Sequence, residues 1–273
     1  MKQTNTQDKT LEDKPEIHYN RDIRYYDYAE GSLSCNLWED NGKIAENNAT
    51  ALEMKLDVYA KLLDLKKGEN VCEIGSGLGT AAKYLSNKHQ CYIDAVTISE
   101  SQADSQVDTR LVNHHCSDWK DWIGKYDKVY SDGCLVHAKR CQQEFFNKMF
   151  ELTKPGGICL IKEMFNTEPL RITRDQCNFI GKTFNWSGEY KPIRKNLYWA
   201  KKAGFTDVQV HKIPIENYIK TMNRWHVMMR RNKNIMRSID PDQYALDYLT
   251  WSVYIEMMQQ GSVEVGVLVC RTP

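Results

Sequence analysis

Neither sign of charge prevails in this sequence. The 37 Lys and Arg stand against 36 Asp and Glu, a formal net charge of +1 over 273 residues. Nucleic-acid-binding domains carry a basic surplus to meet phosphates, so that class of partner is set aside. No run approaches the roughly 20 apolar residues of a membrane-spanning helix, and the opening stretch is polar and charged, without an apolar signal core. A soluble, cytoplasmic protein is the expectation, and nothing in the sequence speaks to its oligomeric state. The nine cysteines (Cys35, Cys72, Cys91, Cys116, Cys134, Cys141, Cys159, Cys177 and Cys270) form no C-x-x-C pair. That pattern argues for reduced thiols, several of them in the core, rather than zinc ligands or a disulfide framework. H-E-x-x-H, G-x-S-x-G and paired histidines at ligand spacing are also missing, so neither a metal site nor a nucleophile triad is expected.

What the chain does have is a glycine-rich turn around which the rest is arranged. In residues 70–80, NVCEIGSGLGT, the apolar positions Val71, Cys72 and Ile74 suit a buried parallel strand, and Gly75, Gly77 and Gly79 let backbone approach a ligand without Cβ obstruction. No Lys-Ser/Thr follows, which excludes a Walker A phosphate cradle. An acid buried at the end of such a strand, Glu73, needs a partner.

Around this turn the pattern alternates strand and helix, predicting an α/β fold with a doubly wound parallel sheet. Residues 48–65 carry apolar positions at helical spacing, with Lys55, Asp57, Lys61 and Asp64 as the polar complement. Seven strands are predicted, at 71–74, 90–97, 113–116, 126–131 and 158–163, in the run after Gly204, and at 262–271. Ser99 is a helix cap, and the helix it opens is expected to continue through 112. Residues 164–195 lack a period and read as cap, and 217–260 as a long helical cap. The expected organisation is a mobile tail and aromatic helical lid over 1–47, a cofactor-binding core over 48–163, a cap over 164–260 that returns to the core at about 197–213, and a last core strand over 261–273.

Residues 70–80 resemble the first motif of class I S-adenosylmethionine (SAM)-dependent methyltransferases, and three further stretches sharpen the likeness. Thr97-Ile98-Ser99-Glu100-Ser101-Gln102 matches the T-x-S-x-x-Q of cyclopropane fatty acid synthases, mycolic acid methyltransferases and their sterol, tocopherol and phosphoethanolamine relatives. Ser117-Asp118-Trp119 is similar to their acid-plus-aromatic pair. Residues 31–38 partly match their Y-S-C-A-Y segment, with Leu33 for its Tyr and Asn36-Leu37 for its Ala-Tyr.

The resemblance implies a Rossmann-like class I methyltransferase fold, a seven-stranded, mostly parallel sheet whose last strand is antiparallel, with the helical lid and cap inserted. It implies SAM as cofactor. Glu73 would fix the methionine amino end, with Gly75, Ser76, Gly77 and Gly79 beside the ligand. Thr97, Ser99 and Gln102 would surround the ribose, Asp118 and Trp119 would meet the adenine, and Ser34 the methionine carboxylate.

Ser131 opens a segment, residues 131–137, that aligns with the family's S-x-G-x-F-E-H, and joins the cofactor-binding set. Val136 stands where cyclopropane synthases carry a Glu that helps to hold a bicarbonate ion used as base, so cyclopropanation loses a required group. His137 is kept, at the mouth of the sheet, and an imidazole has a suitable pKa for taking a proton near neutrality. Glu163, ending the fifth strand beside the same crevice, is a second base candidate.

Tyr25, Tyr26, Trp38, Trp186 and Trp225 are the expected acceptor pocket, able to hold a planar or isoprenoid group, or an amine by cation–π contact. Because a sulfonium is already an activated donor, the protein's share of methyl transfer is positioning, exclusion of water and, where needed, a base. The reading is a methyltransferase acting on carbon or nitrogen of a small molecule. Its rivals are a cyclopropane-synthase-like lipid-modifying enzyme and a catalytically idle SAM-binding partner or sensor.

Overall fold

The computed structural model describes residues 15–169, 172–183 and 190–273. The expected tail up to residue 14 and the candidate Trp186 lie outside the described residues.

Seven strands form the central sheet: β1 (Asn70–Ile74), β2 (Tyr92–Thr97), β3 (Val112–Cys116), β4 (Tyr126–Asp132), β5 (Thr153–Asn166), β6 (Asp207–Ile213) and β7 (Val263–Arg271). Their order is β3-β2-β1-β4-β5-β7-β6, parallel except where β7 runs antiparallel between β5 and β6. The short apolar runs are buried on both faces, as a parallel sheet covered by helices on each side requires. On one face Val71, Ile93, Ala95 and Leu160 pack under Leu56, Tyr59 and Leu63 of α1 (Asn48–Leu63) and Leu85 of α2 (Thr80–His89). On the other, Cys72, Ile74, Val129 and Ile161 meet Phe145, Phe146 and Met149 of the helix Gln142–Leu152, and Ala200 of the helix Ile193–Ala203.

The strand order reverses at β1, where β2 lies on one side and β4 on the other. Loops leaving the carboxyl ends of adjacent strands diverge there and open a crevice, which places the glycine turn, the β2 loop and the ends of β4 and β5 around one space.

Four differences from the sequence reading have physical reasons. The helix capped by Ser99, α3 (Glu100–Asp104), stops after five residues, because only Gln102 of it is buried and Val107 beyond it points to solvent at 73% exposure. β5 begins at Thr153 rather than at residue 158: the Lys-Pro-Gly-Gly stretch, with Gly156 at φ +73°, is taken up by a register shift against β4 instead of forming a separate turn. The long cap helix is three helices, Ile215–Arg231, Lys233–Ile239 and Pro241–Gln259, broken at Asn232 and again at Asp240, which caps the last one ahead of Pro241. Lys55, expected on the polar face of α1, is buried at 3% exposure.

The lid consists of one helical turn, Pro15–Tyr19, and a 3-10 segment, Ile23–Ala29. Its rings Tyr25, Tyr26 and Tyr28 join Met222, Trp225, Met229, Trp251 and Tyr254 of the cap in one apolar cluster. Polar ties fix the same contact. The Tyr25 hydroxyl donates to Asp247 Oδ2 at 2.8 Å, Gln243 Nε2 donates to Asp247 Oδ1 at 2.7 Å, and Arg21 reaches Asp240 at 3.0 Å and Gln243 at 2.8 Å. Lid and cap therefore pack as one layer over the crevice.

Of the described cysteines, Cys35, Cys72, Cys91, Cys159 and Cys270 are buried, Cys134 and Cys141 half-buried and Cys116 exposed, all unbridged. Among the described residues no helix is long and apolar enough to cross a membrane, and no group of three or more His, Cys, Asp or Glu side chains is placed to hold a metal.

Candidate functional site

A cavity of about 430 Å³ occupies the crevice, floored by the carboxyl ends of β1, β2, β4 and β5 and roofed by lid and cap. Glu73 ends β1 inside it, 3% exposed, and its Oε2 has no hydrogen-bond partner among the described residues. Burial raises its carboxyl to about 8, with the Tyr130 hydroxyl beside it working the other way. A carboxyl oxygen kept out of water without a partner, as Oε2 is, suits a donor from a ligand.

The turn after Glu73 brings Gly75, Ser76 and Gly77 to the cavity wall. Gly75 has φ +84°, and a Cβ there would come within 3.0 Å of Cys134 Cβ. Gly79 has a different role: it does not line the cavity, and a Cβ on it would meet His114 Cε1 at 2.7 Å and Gln106 Oε1 at 2.9 Å. Its glycine serves packing of α2 against the neighbouring loops.

At the end of β2, Thr97 and Gln102 line the cavity, joined by Thr97 Oγ1 donating to Gln102 Oε1 at 2.9 Å. This leaves Gln102 Nε2, buried, without a partner among the described residues. Ser99 is set back from the cavity and acts on the frame: its Oγ accepts from Gln102 N at 3.2 Å and donates to Tyr19 O at 2.9 Å. Asp118 and Trp119 line the far end, Trp119 held edge-on against Phe145 with ring centroids 5.1 Å apart. Ser131 is fully buried within β4 and does not reach the cavity.

Both base candidates open into the same space but differ in environment. His137 Nε2 lies 3.1 Å from the Tyr19 hydroxyl, and burial lowers its imidazole to about 4. Glu163, 4% exposed, accepts from Val136 N at 3.0 Å and Met164 N at 2.8 Å. Burial raises it to about 7 against the pull of those two amides and of Lys162.

Among the aromatic candidates, Tyr26 and Trp225 line the cavity. Tyr25 is spent on Asp247, and Trp38, donating from Nε1 to Thr221 Oγ1 at 2.9 Å, packs with Ala51 and Met54 of α1 away from it.

Sequence reasoning missed several residues of the wall: Tyr19, Lys55, Asp132, Lys162, Tyr218 and Tyr254. Lys55 and Lys162 were signalled. Lys55 falls three residues after Leu52 and four before Tyr59, on the apolar stripe of α1, and Lys162 interrupts the apolar run of β5. Ser34, on the loop after the lid, accepts from Lys55 Nζ at 2.7 Å and donates to Asp132.

The strand order with an antiparallel β7, together with a crevice at β1 lined by acid, glycine turn and aromatic, defines the class I SAM-dependent methyltransferase fold. More narrowly, the model of the mycolic acid cyclopropane synthetase family matches residues 7–266, and the chain belongs to that family. It is 30% identical over 132 residues to the cyclopropane-fatty-acyl-phospholipid synthase of Escherichia coli K12, a match covering 47% of this chain and 34% of that enzyme. The chain thus spans about a third of the length of that curated relative. Among solved structures it is similar to the cyclopropane synthase MmaA2 of Mycobacterium tuberculosis, with a TM-score of 0.85 at 18% identity over 96% of this chain and 98% of that one. A mycolic acid cyclopropane synthase, CmaA1, solved in complex with SAH and CTAB, superposes with a TM-score of 0.83 at 18% identity over 94% and 98%.

Proposed function

We propose that the protein is a SAM-dependent methyltransferase that moves a methyl group to carbon or nitrogen of a small molecule. The observation that carries this is the cavity at the β1 reversal, into which a buried acid with one unpartnered oxygen, Glu73 Oε2, an unpartnered amide, Gln102 Nε2, and the Asp118–Trp119 pair all open. These groups complement the amino, ribose and adenine ends of one elongated nucleoside, and the neighbour solved with SAH has the same fold.

When bound, the donor supplies a methyl group already activated on sulfonium. The chain then has three tasks. Glu73, Gln102 and Asp118 orient the donor, the lid and cap exclude water, and a base takes the proton that an acceptor sheds. Glu163 suits the last task better than His137. A base works best with a pKa near the operating pH, and Glu163 at about 7 meets that condition whereas His137 at about 4 is a weak base tied to Tyr19.

Calorimetric titration with S-adenosylhomocysteine (SAH) tests the donor assignment. Gly77 holds φ +53° on the cavity wall, so Gly77→Val brings both backbone strain and bulk to the ligand side, and SAH affinity is expected to fall at least tenfold. Wild-type affinity in a correctly folded Gly77→Val protein would remove the donor from this turn.

A second reading, cyclopropanation of an acyl chain, is favoured by the family match and by one contact. The Glu163 carboxylate accepts from the backbone N of Val136, the position to which the resemblance assigns the synthases' acid. Against it, Val136 itself offers no carboxylate. The two readings separate on product mass with an unsaturated phospholipid as acceptor and on bicarbonate dependence, which only the second requires.

A further inference from the structure

The helix Ile215–Arg231 of the cap carries two neighbouring stripes with different partners. Asn217, Thr221 and Arg224 bind the end of the lid and the chain after it. Asn217 Oδ1 accepts from Trp38 N at 2.6 Å and Glu39 N at 2.8 Å, and Thr221 Oγ1 accepts from Asn36 N at 3.1 Å and Trp38 Nε1 at 2.9 Å. Arg224 reaches both carboxylate oxygens of Glu30 at 2.8 Å. Residues at this spacing lie on one side of a helix, so the three ties fix its rotation. The next stripe, Tyr218, Met222 and Trp225, is thereby held on the cavity, which all three line.

Two hydrogen-bonding groups on that second stripe are idle. The Tyr218 hydroxyl and Trp225 Nε1 are buried without a partner among the described residues, and the two residues are 3% and 2% exposed. Other ring donors are met: Trp38 by Thr221, Trp122 Nε1 by the Tyr126 hydroxyl at 3.2 Å, Tyr25 by Asp247 and Tyr26 by His18 O at 2.6 Å. A donor kept from water without an acceptor is costly, and on a cavity wall a ligand is in a position to supply one. A hydroxyl gives or takes a hydrogen bond, so Tyr218 sets no preference. An indole N–H only donates, so Trp225 does.

The surroundings of Trp225 bear on the shape of what it meets. Its ring stands 4.8 Å from that of Trp251, tilted by 59°, and 6.0 Å from that of Tyr28, edge-on. Trp251 in turn stacks with Tyr254 at 6.0 Å and 24°. All four rings line the cavity, a wall that suits a flat, unsaturated skeleton. An ammonium group brings only donors and leaves the indole N–H unmet, as does a hydrocarbon.

We propose that Trp225 is a specificity-determining residue whose Nε1–H donates to an oxygen, of a ketone or a phenol, on a flat, unsaturated acceptor. The inference rests on the methyltransferase reading and names its acceptor class. Among planar, isoprenoid and amine acceptors, it selects planar molecules that carry oxygen.

The test is ligand-observed magnetic-resonance titration of SAH-loaded wild type and Trp225→Phe, which keeps a ring and removes the N–H. Three probes share one skeleton: 1-indanone carries a ketone oxygen, indane carries no polar group, and 1-aminoindane is an ammonium at neutral pH. In wild type, indanone should bind at least tenfold tighter than either of the others, since a site with a waiting donor rejects an analogue that cannot use it. In Trp225→Phe the preference for indanone over indane should fall to less than threefold, through loss of indanone affinity and not gain of indane.

An undiminished preference in Trp225→Phe, equal binding of indanone and indane to wild type, tightest binding of the ammonium probe, or binding of no probe would each overturn the inference. Should Trp225→Phe fail to fold, wild type with isotope-labelled tryptophan answers instead: an indole N–H signal must move with indanone and not with indane, and equal responses sink the idea. A wild-type protein that does not bind SAH overturns the methyltransferase reading and this inference with it, whereas SAH binding without discrimination among the probes removes the inference alone.

Discussion

Burial acts on the two base candidates in opposite senses, because it penalises whichever form is charged: the carboxyl of Glu163 rises and the imidazole of His137 falls. With Glu163 as base, kcat/KM should rise with pH through an apparent pKa near 7. Glu163→Gln should lower turnover at least a hundredfold and flatten that limb, with SAH affinity within about threefold of wild type. His137→Ala should leave the limb in place; if instead His137→Ala removes it, the assignments are reversed.

The same shift has a stability sign. In the unfolded chain a glutamate titrates near 4.3, so between that value and about 7 for Glu163, or about 8 for Glu73, the folded protein binds more protons than the unfolded one. Both acids therefore cost stability as pH rises through these windows. Glu73→Gln should accordingly raise the melting temperature at pH 8 by several degrees while changing it little at pH 4.5, a difference that calorimetry or circular dichroism can follow.

At this scale the sequence was informative where a motif names a residue, as at Glu73, Thr97, Gln102, Asp118 and Trp119. It was silent where function depends on which buried neighbours a side chain has. The place of Lys55 on the apolar stripe of α1 signals that it turns inward, but nothing in residues 48–65 names the acid it meets, 77 positions away.

Among the elements, strands were the most legible, since short apolar runs between turns have few alternatives. Helix ends were less so. The cap residue of α3 could be read from Ser99, but its length depends on a buried face that residues 105–111 lack. The lid's 3-10 form also escaped, being held by ring packing and by the Asp22 side chain accepting from Arg24 N, at N-cap spacing that suits either helix type.

Ser99 links α3 to the lid through Tyr19 O, so the loop after β2 and the cavity roof share one hydroxyl. Ser99→Ala removes both bonds. A cap of this kind contributes about 1 kcal/mol, and stability should fall by that order. The more telling readout is kinetic: stopped-flow release of SAH should accelerate severalfold, and hydrogen exchange across residues 15–29 should rise. Unchanged release would show that the lid does not gate the donor.

For the molecule as a whole, the seven-stranded, mostly parallel sheet with an antiparallel last strand was implied by the resemblance and is present in the structure, whereas the strand order, set by long-range pairing, was not readable from the sequence. The aromatic wall of the cavity was legible only in part: Tyr26 and Trp225 were expected there, whereas Tyr218 and Tyr254 join them from cap helices that no local pattern links. If SAH engages only the folded state, at a concentration a hundred times its dissociation constant it should add about 2.7 kcal/mol to stability, visible as an upward thermal shift of several degrees. Absence of that shift with SAH, against a nucleoside control, would contradict the donor assignment at the level of the whole fold.

The cap leaves the sheet after β6, at Ile213, and returns at β7, where Val265 is the register partner of Ile213. Partners on neighbouring antiparallel strands stand about 5 Å apart, so the three helices between them form a closed excursion with nearly coincident ends. Such an excursion can be exchanged without disturbing the ladder that supports it. The cavity floor on the sheet and the part of its roof carried by these helices are thereby separable: a transplanted cap would reshape the roof over an unchanged floor, and the register at Ile213 and Val265 marks where to cut.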